Sequence, residues 1–207
     1  MNIFPTLQPG RWQKMNLDKE ARKNNCDFTN PEECAQWIDW LHQQQKISYS
    51  YGGFLEERST LWKDHYQKET GAFIHLGMDY NVPVGTSVSL PCKGIVEDIM
   101  IDHDQDGGWG GRIIWRIVDT PLYLIYGHLE HTINLKVGQL CQRGDIVGIT
   151  APSSQNGGWY PHLHVQIVDQ EFMKQYPDKK TIDGYLTKDH RLLSHVYDPS
   201  LFVKRKR

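Results

Sequence analysis

Two apolar runs stand near the middle of the chain, RIIWRIV at residues 112–118 and LYLIY at residues 122–126. Their β-branched and aromatic content is typical of strands, and the Asp-Thr-Pro sequence between them is typical of a turn. Further short runs of this kind lie between glycine-rich segments, at residues 87–91, 94–101 and 163–168. Many short strands with glycine turns and almost no helix predict an antiparallel sheet or sandwich.

The segments on either side differ from this region in composition. Asn30 can cap a helix, Pro31 suits its first position, and apolar residues follow at helical spacing, so we predict a helix over residues 31–46. Residues 49–53 are expected to form a turn. The polar, irregular part from residue 171 onward is expected to pack back on the sheet through apolar side chains. These are Leu192, Leu193, Val196, Tyr197, Leu201 and Phe202.

The predicted fold class is therefore mainly β. We expect three parts, a helical or irregular N-terminal segment at residues 1–70, a β-domain at residues 71–170, and an irregular C-terminal extension at residues 171–207. The β-domain is expected to be an antiparallel β-sheet platform or sandwich. The cysteines include no Cys-x-x-Cys pair. Cys92 and Cys141 are expected to be free thiols, whereas Cys26 and Cys34 could pair.

Charge and hydropathy narrow the class of protein. The 207 residues carry a formal net charge of -2, so no strong basic field favours nucleic acid. No apolar run approaches the roughly 18 residues of a membrane span. The N-terminal residues lack the basic and apolar regions of a signal peptide. We therefore expect a cytoplasmic protein, or a periplasmic or cell-envelope protein if a leader has been removed.

Candidate metal ligands occur in two short motifs, HLGMD at residues 75–79 and HLH at residues 162–164. Residues two apart lie on one face of a strand, so His162 and His164 can reach the same centre. His75 and Asp79 also share a face if their segment is extended. Three protein ligands and one open position are typical of catalytic zinc, which lowers the pKa of its water to about 7. A neighbouring imidazole can take the proton from that water.

Each motif alone has an ordinary explanation. A single histidine in a β-protein is more often a satisfied polar residue, and His-x-His also occurs in cupin-type barrels. The joint occurrence of both motifs beside glycine-rich turns favours a metal site. The acidic loop around His103 lacks the EF-hand spacing and is expected to be a solvated turn. The histidines expected to be surface or structural residues are His42, His65, His103, His131, His190 and His195.

At these residues the chain resembles the lysostaphin-type zinc metalloendopeptidases, which hydrolyse peptide bonds in bacterial peptidoglycan. The resemblance covers about residues 71–168. Four stretches carry it, HLGMD at residues 75–79, PVGTSV at residues 83–88, YGHL at residues 126–129 and PHLH at residues 161–164. It implies an antiparallel sheet platform with the metal in a groove between loops, and a peptide or peptidoglycan substrate.

The resemblance also implies a role for each residue of the motifs. His75, Asp79 and His164 would hold one zinc ion (Zn2+) per chain. His162 would be the catalytic partner of the metal-activated water. His128 would orient that water or stabilise the tetrahedral intermediate.

The chain departs from the family pattern near its final motif. Gln166 stands where a Glu often follows, and Trp159 and Tyr160 are bulkier than the small residues expected before the motif. Both departures bear on substrate preference. Aromatic residues near the motifs could line a groove or an ordinary sheet edge, namely Trp109, Tyr126, Trp159 and Tyr160.

Three functions stay open at this point, and no oligomeric state is predicted. A narrower resemblance, in residues 52–56, 156–159 and 198–199, is to the peptidase module fused to aminotransferase-like enzymes in larger intracellular chains. The first function is a peptidoglycan endopeptidase. The second is an intracellular zinc peptidase or amidohydrolase acting on soluble substrates. The third is a non-catalytic platform that binds a cell-wall polymer or a partner protein. Residues 1–70 could also cover the groove.

Overall fold

The structure is a computed structural model that describes residues 3–7, 11–24, 26–62 and 67–201. The helices are α1 (Leu17–Asn24), α2 (Pro31–Gln45), α3 (Ser59–Trp62) and α4 (Gln170–Lys174). The strands are β1 (Arg11–Lys14), β2 (Ile47–Gly52), β3 (Ile74–His75), β4 (Met78–Asn81), β5 (Ser87–Ser89), β6 (Gly94–Ile101), β7 (Gly111–Ile117), β8 (Leu122–Leu129), β9 (Leu140–Cys141), β10 (Ile146–Ile149), β11 (Leu163–Asp169), β12 (Tyr185–Leu186) and β13 (Val196–Tyr197). His65 and Phe202 lie outside the described residues.

One nine-stranded sheet forms the centre of the molecule. Its order is β1-β2-β4-β11-β8-β7-β6-β9, and β13 pairs with β11 off this path. The β1–β2 pair is parallel, whereas the pairs from β2 through to β9 are antiparallel. Two small sheets, β10-β5 and β12-β3, stand beside it. The prediction of a mainly β fold built on an antiparallel sheet is confirmed.

The β7–β8 hairpin is the pair of apolar runs from which the fold was predicted. Ile114 lies opposite Ile125 and Trp115 lies opposite Leu124. Most of this hairpin is buried on both faces, with Arg116 exposed, which explains why apolar residues follow one another and do not alternate strictly with polar ones. Trp115 belongs to the core on one face, and Ile114 belongs to the core on the other. The sheet is therefore the middle layer, and both flanking segments pack against it.

The N-terminal segment holds one confirmed and one wrong prediction. The helix predicted over residues 31–46 is α2, and the Asn30 side chain accepts hydrogen bonds from the N–H groups of Glu32 and Glu33. Residues 49–52 of the predicted turn belong instead to strand β2, and the turn follows at Phe54 and Leu55. Tyr51 of that strand stacks on Tyr80 of β4, with ring centroids 5.9 Å apart. Pairing with a neighbouring strand thus outweighs the local turn propensity of the glycines.

The C-terminal extension packs back on the sheet through part of the predicted set. Leu192 and Val196 are buried, and Leu193 is half-buried against the same core. Tyr197 pairs in β13 opposite Ile167. Leu201 is 66% exposed, so its predicted packing is wrong. It stands in the last described turn, where no further described residue covers it.

The cysteines are free thiols, including Cys26 and Cys34, which the sequence left open. Cys141 is buried and Cys92 is half-buried. Among the described residues, none of the helices combines the length and the hydrophobicity that a bilayer crossing needs.

Candidate active site

Three neighbouring strands bring the predicted site residues to one place. His164 of β11 lies opposite Asp79 of β4 on one side and opposite Gly127 of β8 on the other. His75 arrives from β3, because the chain breaks its extended path at Leu76 and Gly77 before β4 begins. A Cβ atom at Gly77 would lie 2.4 Å from the His164 ring. Glycine is therefore required where the first motif passes the second.

The ligand atoms of His75, Asp79 and His164 form a compact triangle. His75 Nε2 lies 3.1 Å from His164 Nδ1 and 3.4 Å from Asp79 Oδ1. His164 Nδ1 lies 3.1 Å from Asp79 Oδ1. Ligands about 2.0–2.2 Å from a tetrahedral zinc ion stand roughly 3.3–3.6 Å apart, so the triangle matches one face of such a site to within about 0.2 Å. Within the described residues, no other His, Cys, Asp or Glu side chains form such a group of three.

Hydrogen bonds at the far ring nitrogens orient both imidazoles for metal binding. His75 Nδ1 lies 2.9 Å from the Gly53 carbonyl oxygen, and His164 Nε2 lies 3.2 Å from Gln166 Oε1. Because an oxygen accepts a hydrogen bond, the ring nitrogen that faces it carries the proton. The other nitrogen of each ring, which lies in the triangle, therefore keeps its lone pair. Burial lowers the pKa of His75 to about 4. The ring is therefore neutral near pH 7, as a ligand must be.

Asp79 is the charged member of the triangle and is 1% exposed. Burial by itself would raise its pKa, but the neighbouring His75 and Arg58 hold the pKa of Asp79 well below its ordinary value. The Arg58 Nη1 atom lies 2.8 Å from Asp79 Oδ2. The carboxylate therefore keeps its negative charge, with Oδ1 in the triangle and Oδ2 on the guanidinium.

His162 and His128 stand together beside the triangle, with ring centroids 4.3 Å apart. His162 Nδ1 lies 2.8 Å from the Tyr160 carbonyl oxygen and therefore carries the proton of the ring. Its Nε2, which has the lone pair, lies 3.9 Å from Asp79 Oδ1. Burial lowers the pKa of both rings. His128 Nδ1 is buried and has no hydrogen-bond partner among the described residues. Two neutral imidazoles thus present nitrogen atoms to the space around the triangle.

A cavity of about 120 Å³ opens over these residues. Its walls come from the loops around residues 105–109 and 156–159, and from both flanking segments. The flanking segments contribute Thr29, Arg58, Trp62, Gly184 and Tyr185. Part of the N-terminal segment therefore borders the site directly.

The four aromatic residues singled out in the sequence separate into two groups. Trp109 and Trp159 line the cavity, and the Trp109 ring meets the His164 ring edge-on at 5.2 Å. Tyr126 is fully buried in the core, where its hydroxyl donates to the Ser89 carbonyl oxygen. Tyr160 is also buried and stacks on His162 at 5.2 Å.

All five residues predicted for the site come together, and the other described histidines lie elsewhere. His42 contacts Ser50 and His195 contacts Asp169, as expected of structural residues. Sequence reasoning did not find Arg58, Trp62 or Tyr185. No local motif marks them, because Arg58 and Trp62 meet the Tyr185 hydroxyl across 127 and 123 positions of the chain.

The family model described as Peptidase family M23 matches residues 73–177. An uncharacterized metalloprotease of Haemophilus influenzae is 30% identical over 92 residues, which are 44% of this chain and 18% of that protein. This chain thus matches less than a fifth of that relative's length.

Two solved structures are similar to parts of this chain. LytU is 22% identical with a TM-score of 0.44, and the match covers 63% of this chain and 72% of that one. The catalytic domain of the antimicrobial peptidase lysostaphin from Staphylococcus simulans is 21% identical with a TM-score of 0.47. That match covers 83% of this chain and 98% of that one. The family model described as Peptidase family M23 matches just over half of the length of this chain, and this chain therefore belongs to peptidase family M23.

Proposed function

We propose that this protein is a zinc-dependent peptidase in which His75, Asp79 and His164 hold the metal. The observation that carries the proposal is the buried triangle of Nε2, Oδ1 and Nδ1 atoms, two of them held as lone-pair donors by hydrogen bonds at the far ring nitrogens. Soft thiolate ligands are absent from this set, and two imidazoles with one carboxylate suit zinc. Membership in peptidase family M23 supports the same reading.

The bound zinc would supply Lewis-acid chemistry, lowering the pKa of water to about 7 and polarising the scissile carbonyl. The chain supplies the proton transfer. His162 Nε2 accepts a proton from the attacking water and returns it to the leaving amine, because that nitrogen carries the lone pair. His128 lies against His162, and its unpartnered Nδ1 would accept a hydrogen bond from the attacking water and orient it. The buried walls formed by Trp109 and Trp159 limit competing solvent.

We propose peptides of bacterial peptidoglycan as the substrate class, on the basis of family membership. One observation favours a second candidate, a short soluble peptide or amide. The flanking segments place Thr29, Trp62 and Tyr185 around the cavity, so they narrow the space available to a polymer. The third function, a non-catalytic binding platform, does not require two neutral imidazoles beside the metal ligands, so we do not favour it.

Elemental analysis of the purified protein and of Asp79→Ala tests the proposal first. We expect about one zinc per chain in the wild type and none in the variant, because two imidazoles alone do not complete the site. Release of fragments from purified peptidoglycan, set against cleavage of soluble peptides, then separates the two substrate classes. Absence of zinc in both proteins after reconstitution would overturn the metallopeptidase proposal.

A further inference from the structure

A buried arginine reaches the proposed metal centre from outside the region that matches the family. Arg58 is 1% exposed and lies in the N-terminal segment, whereas the family match begins at residue 73. Its backbone N–H donates to the Phe73 carbonyl oxygen at 2.9 Å, next to the strand that carries His75. Its position is therefore fixed relative to the first metal-ligand motif.

The guanidinium contacts the half of Asp79 that faces away from the histidines. Arg58 Nη1 lies 2.8 Å from Asp79 Oδ2, while Asp79 Oδ1 faces His75 and His164. One carboxylate oxygen thus forms an ion pair with the arginine, and the other faces the two histidines. A carboxylate without such a partner can turn about its last torsion or offer both oxygens to a cation.

A chain of buried groups holds the arginine itself. Arg58 Nη1 donates to the Tyr185 hydroxyl at 3.1 Å, and Trp62 Nε1 donates to the same hydroxyl at 2.8 Å. Arg58 Nη2 lies 3.5 Å from Glu56 Oε2, and Glu56 Oε1 accepts from the Asp18 N–H at 2.9 Å. Segments from both ends of the chain therefore meet at this one side chain.

Glycine is required where the arginine passes the first ligand. A Cβ atom at Gly53 would lie 2.3 Å from Arg58 Nη2 and 2.7 Å from His75 Nδ1, and Gly53 has φ 100. The Gly53 carbonyl also accepts the hydrogen bond of His75. The same residue therefore makes room for Arg58 and orients the histidine ligand.

We infer that Arg58 is a positioning residue of the metal centre, which fixes the Asp79 carboxylate with Oδ1 turned toward His75 and His164. The inference rests on the proposed function, and it means that the N-terminal segment contributes a residue to the metal centre. A guanidinium beside a cation site opposes metal binding by simple charge repulsion. A purely electrostatic role therefore predicts tighter binding when the charge is removed, whereas a positioning role predicts weaker binding.

The test compares Zn2+ dissociation constants of the full chain, measured by competition with a chromophoric chelator, for wild type, Arg58→Met and Arg58→Lys. We expect both variants to bind about 10- to 100-fold more weakly, the usual loss when a partner of a metal ligand is removed. The absorption spectrum of the Co2+-loaded protein should change in both, because the carboxylate geometry changes. If Arg58→Met does not fold, Arg58→Lys alone tests the inference, because it keeps the buried positive charge and changes only the geometry of the group.

The matched control is Arg112→Met. Arg112 is equally buried and lies 3.1 Å from Asp98, but its guanidinium lies over the Trp109 ring and contacts none of the proposed ligands. We expect Arg112→Met to lose stability while its Zn2+ affinity stays within about 3-fold of wild type. Wild-type affinity or tighter binding in the Arg58 variants would overturn this inference and leave the proposed function standing. A wild-type protein that binds no Zn2+ would overturn both.

Discussion

The central strands and the flanking segments border the same cavity but contribute different kinds of groups. On the central sheet, β11 places His164 opposite Asp79 of β4 and opposite Gly127 of β8, the residue before His128. His75 joins them from the small β12-β3 sheet. The flanking segments contribute Arg58 and Tyr185, which contact or border those groups. The difference indicates that the central strands supply most of the reactive groups, whereas the flanks fix their orientation and the shape of the cavity.

The largest expected effect separates two histidines on the sheet side. His164→Ala should lose the metal entirely, because Nδ1 is one corner of the triangle. His162→Ala should keep about one zinc per chain and lose about 10²- to 10⁴-fold in turnover, the usual contribution of a general base. Metal content and peptide hydrolysis, measured on the same preparations, check both expectations. Full activity in His162→Ala would contradict the role assigned to that residue.

The second prediction compares two glycines that face the same ring from the two regions. A Cβ atom at Gly77 would lie 2.4 Å from His164, whereas a Cβ atom at Gly184 would lie 3.4 Å from it. Gly77→Ala should therefore displace the ligand and reduce zinc occupancy sharply, while Gly184→Ala should leave it near wild type. Occupancy after dialysis against a weak chelator distinguishes the variants. Equal losses in both would show that the flank is packed as tightly as the sheet.

The central strands were predictable from sequence because their side chains obey local rules. The runs at residues 112–118 and 122–126 became β7 and β8, and the two ligand motifs meet where β4, which carries Asp79, pairs with β11, which carries His164. The even spacing of His75 and Asp79 did not decide how they meet, because the chain leaves the extended path at Leu76 and Gly77.

The flanking segments were less predictable because their contacts depend on partners far along the chain. Strand β2 carries alternating Ser and Tyr next to two glycines, and its pairing with β4 is what makes it a strand. Arg58 gives no local signal, because its role depends on contacts with Asp79 and with Tyr185, which is 127 positions away. The narrower resemblance to aminotransferase-fused modules and the division of the chain into three parts stay predictions.

The third prediction concerns Gln166, the residue at which the chain departs from the family pattern. Its Oε1 atom accepts the hydrogen bond of His164 Nε2 at 3.2 Å. Gln166→Leu leaves that N–H without its acceptor, so zinc affinity should fall about 10-fold. Gln166→Glu restores an acceptor and should bind zinc at least as tightly as wild type. Titration with a competing chelator checks the pair, and an unchanged affinity in Gln166→Leu would show that the strands alone orient the ligand.

The smallest expected effect tests whether the N-terminal flank and the sheet unfold together. Asn30→Ala removes the side chain that accepts from the Glu32 and Glu33 N–H groups at the start of α2, which should lower the free energy of unfolding by about 1 kcal/mol. Gln44→Ala, at an exposed position of the same helix, should change it by only a few tenths of a kcal/mol.

Urea unfolding followed by circular dichroism and by tryptophan fluorescence measures this difference. Because Ser50 of β2 contacts His42 of α2 and Asn81 of β4, we expect both probes to report one shared transition that moves to lower urea in Asn30→Ala. Two separated transitions would mean that α2 melts independently of the sheet. In that case the contribution of the flank to the site would have to reside in the segment after β2, where Arg58 lies.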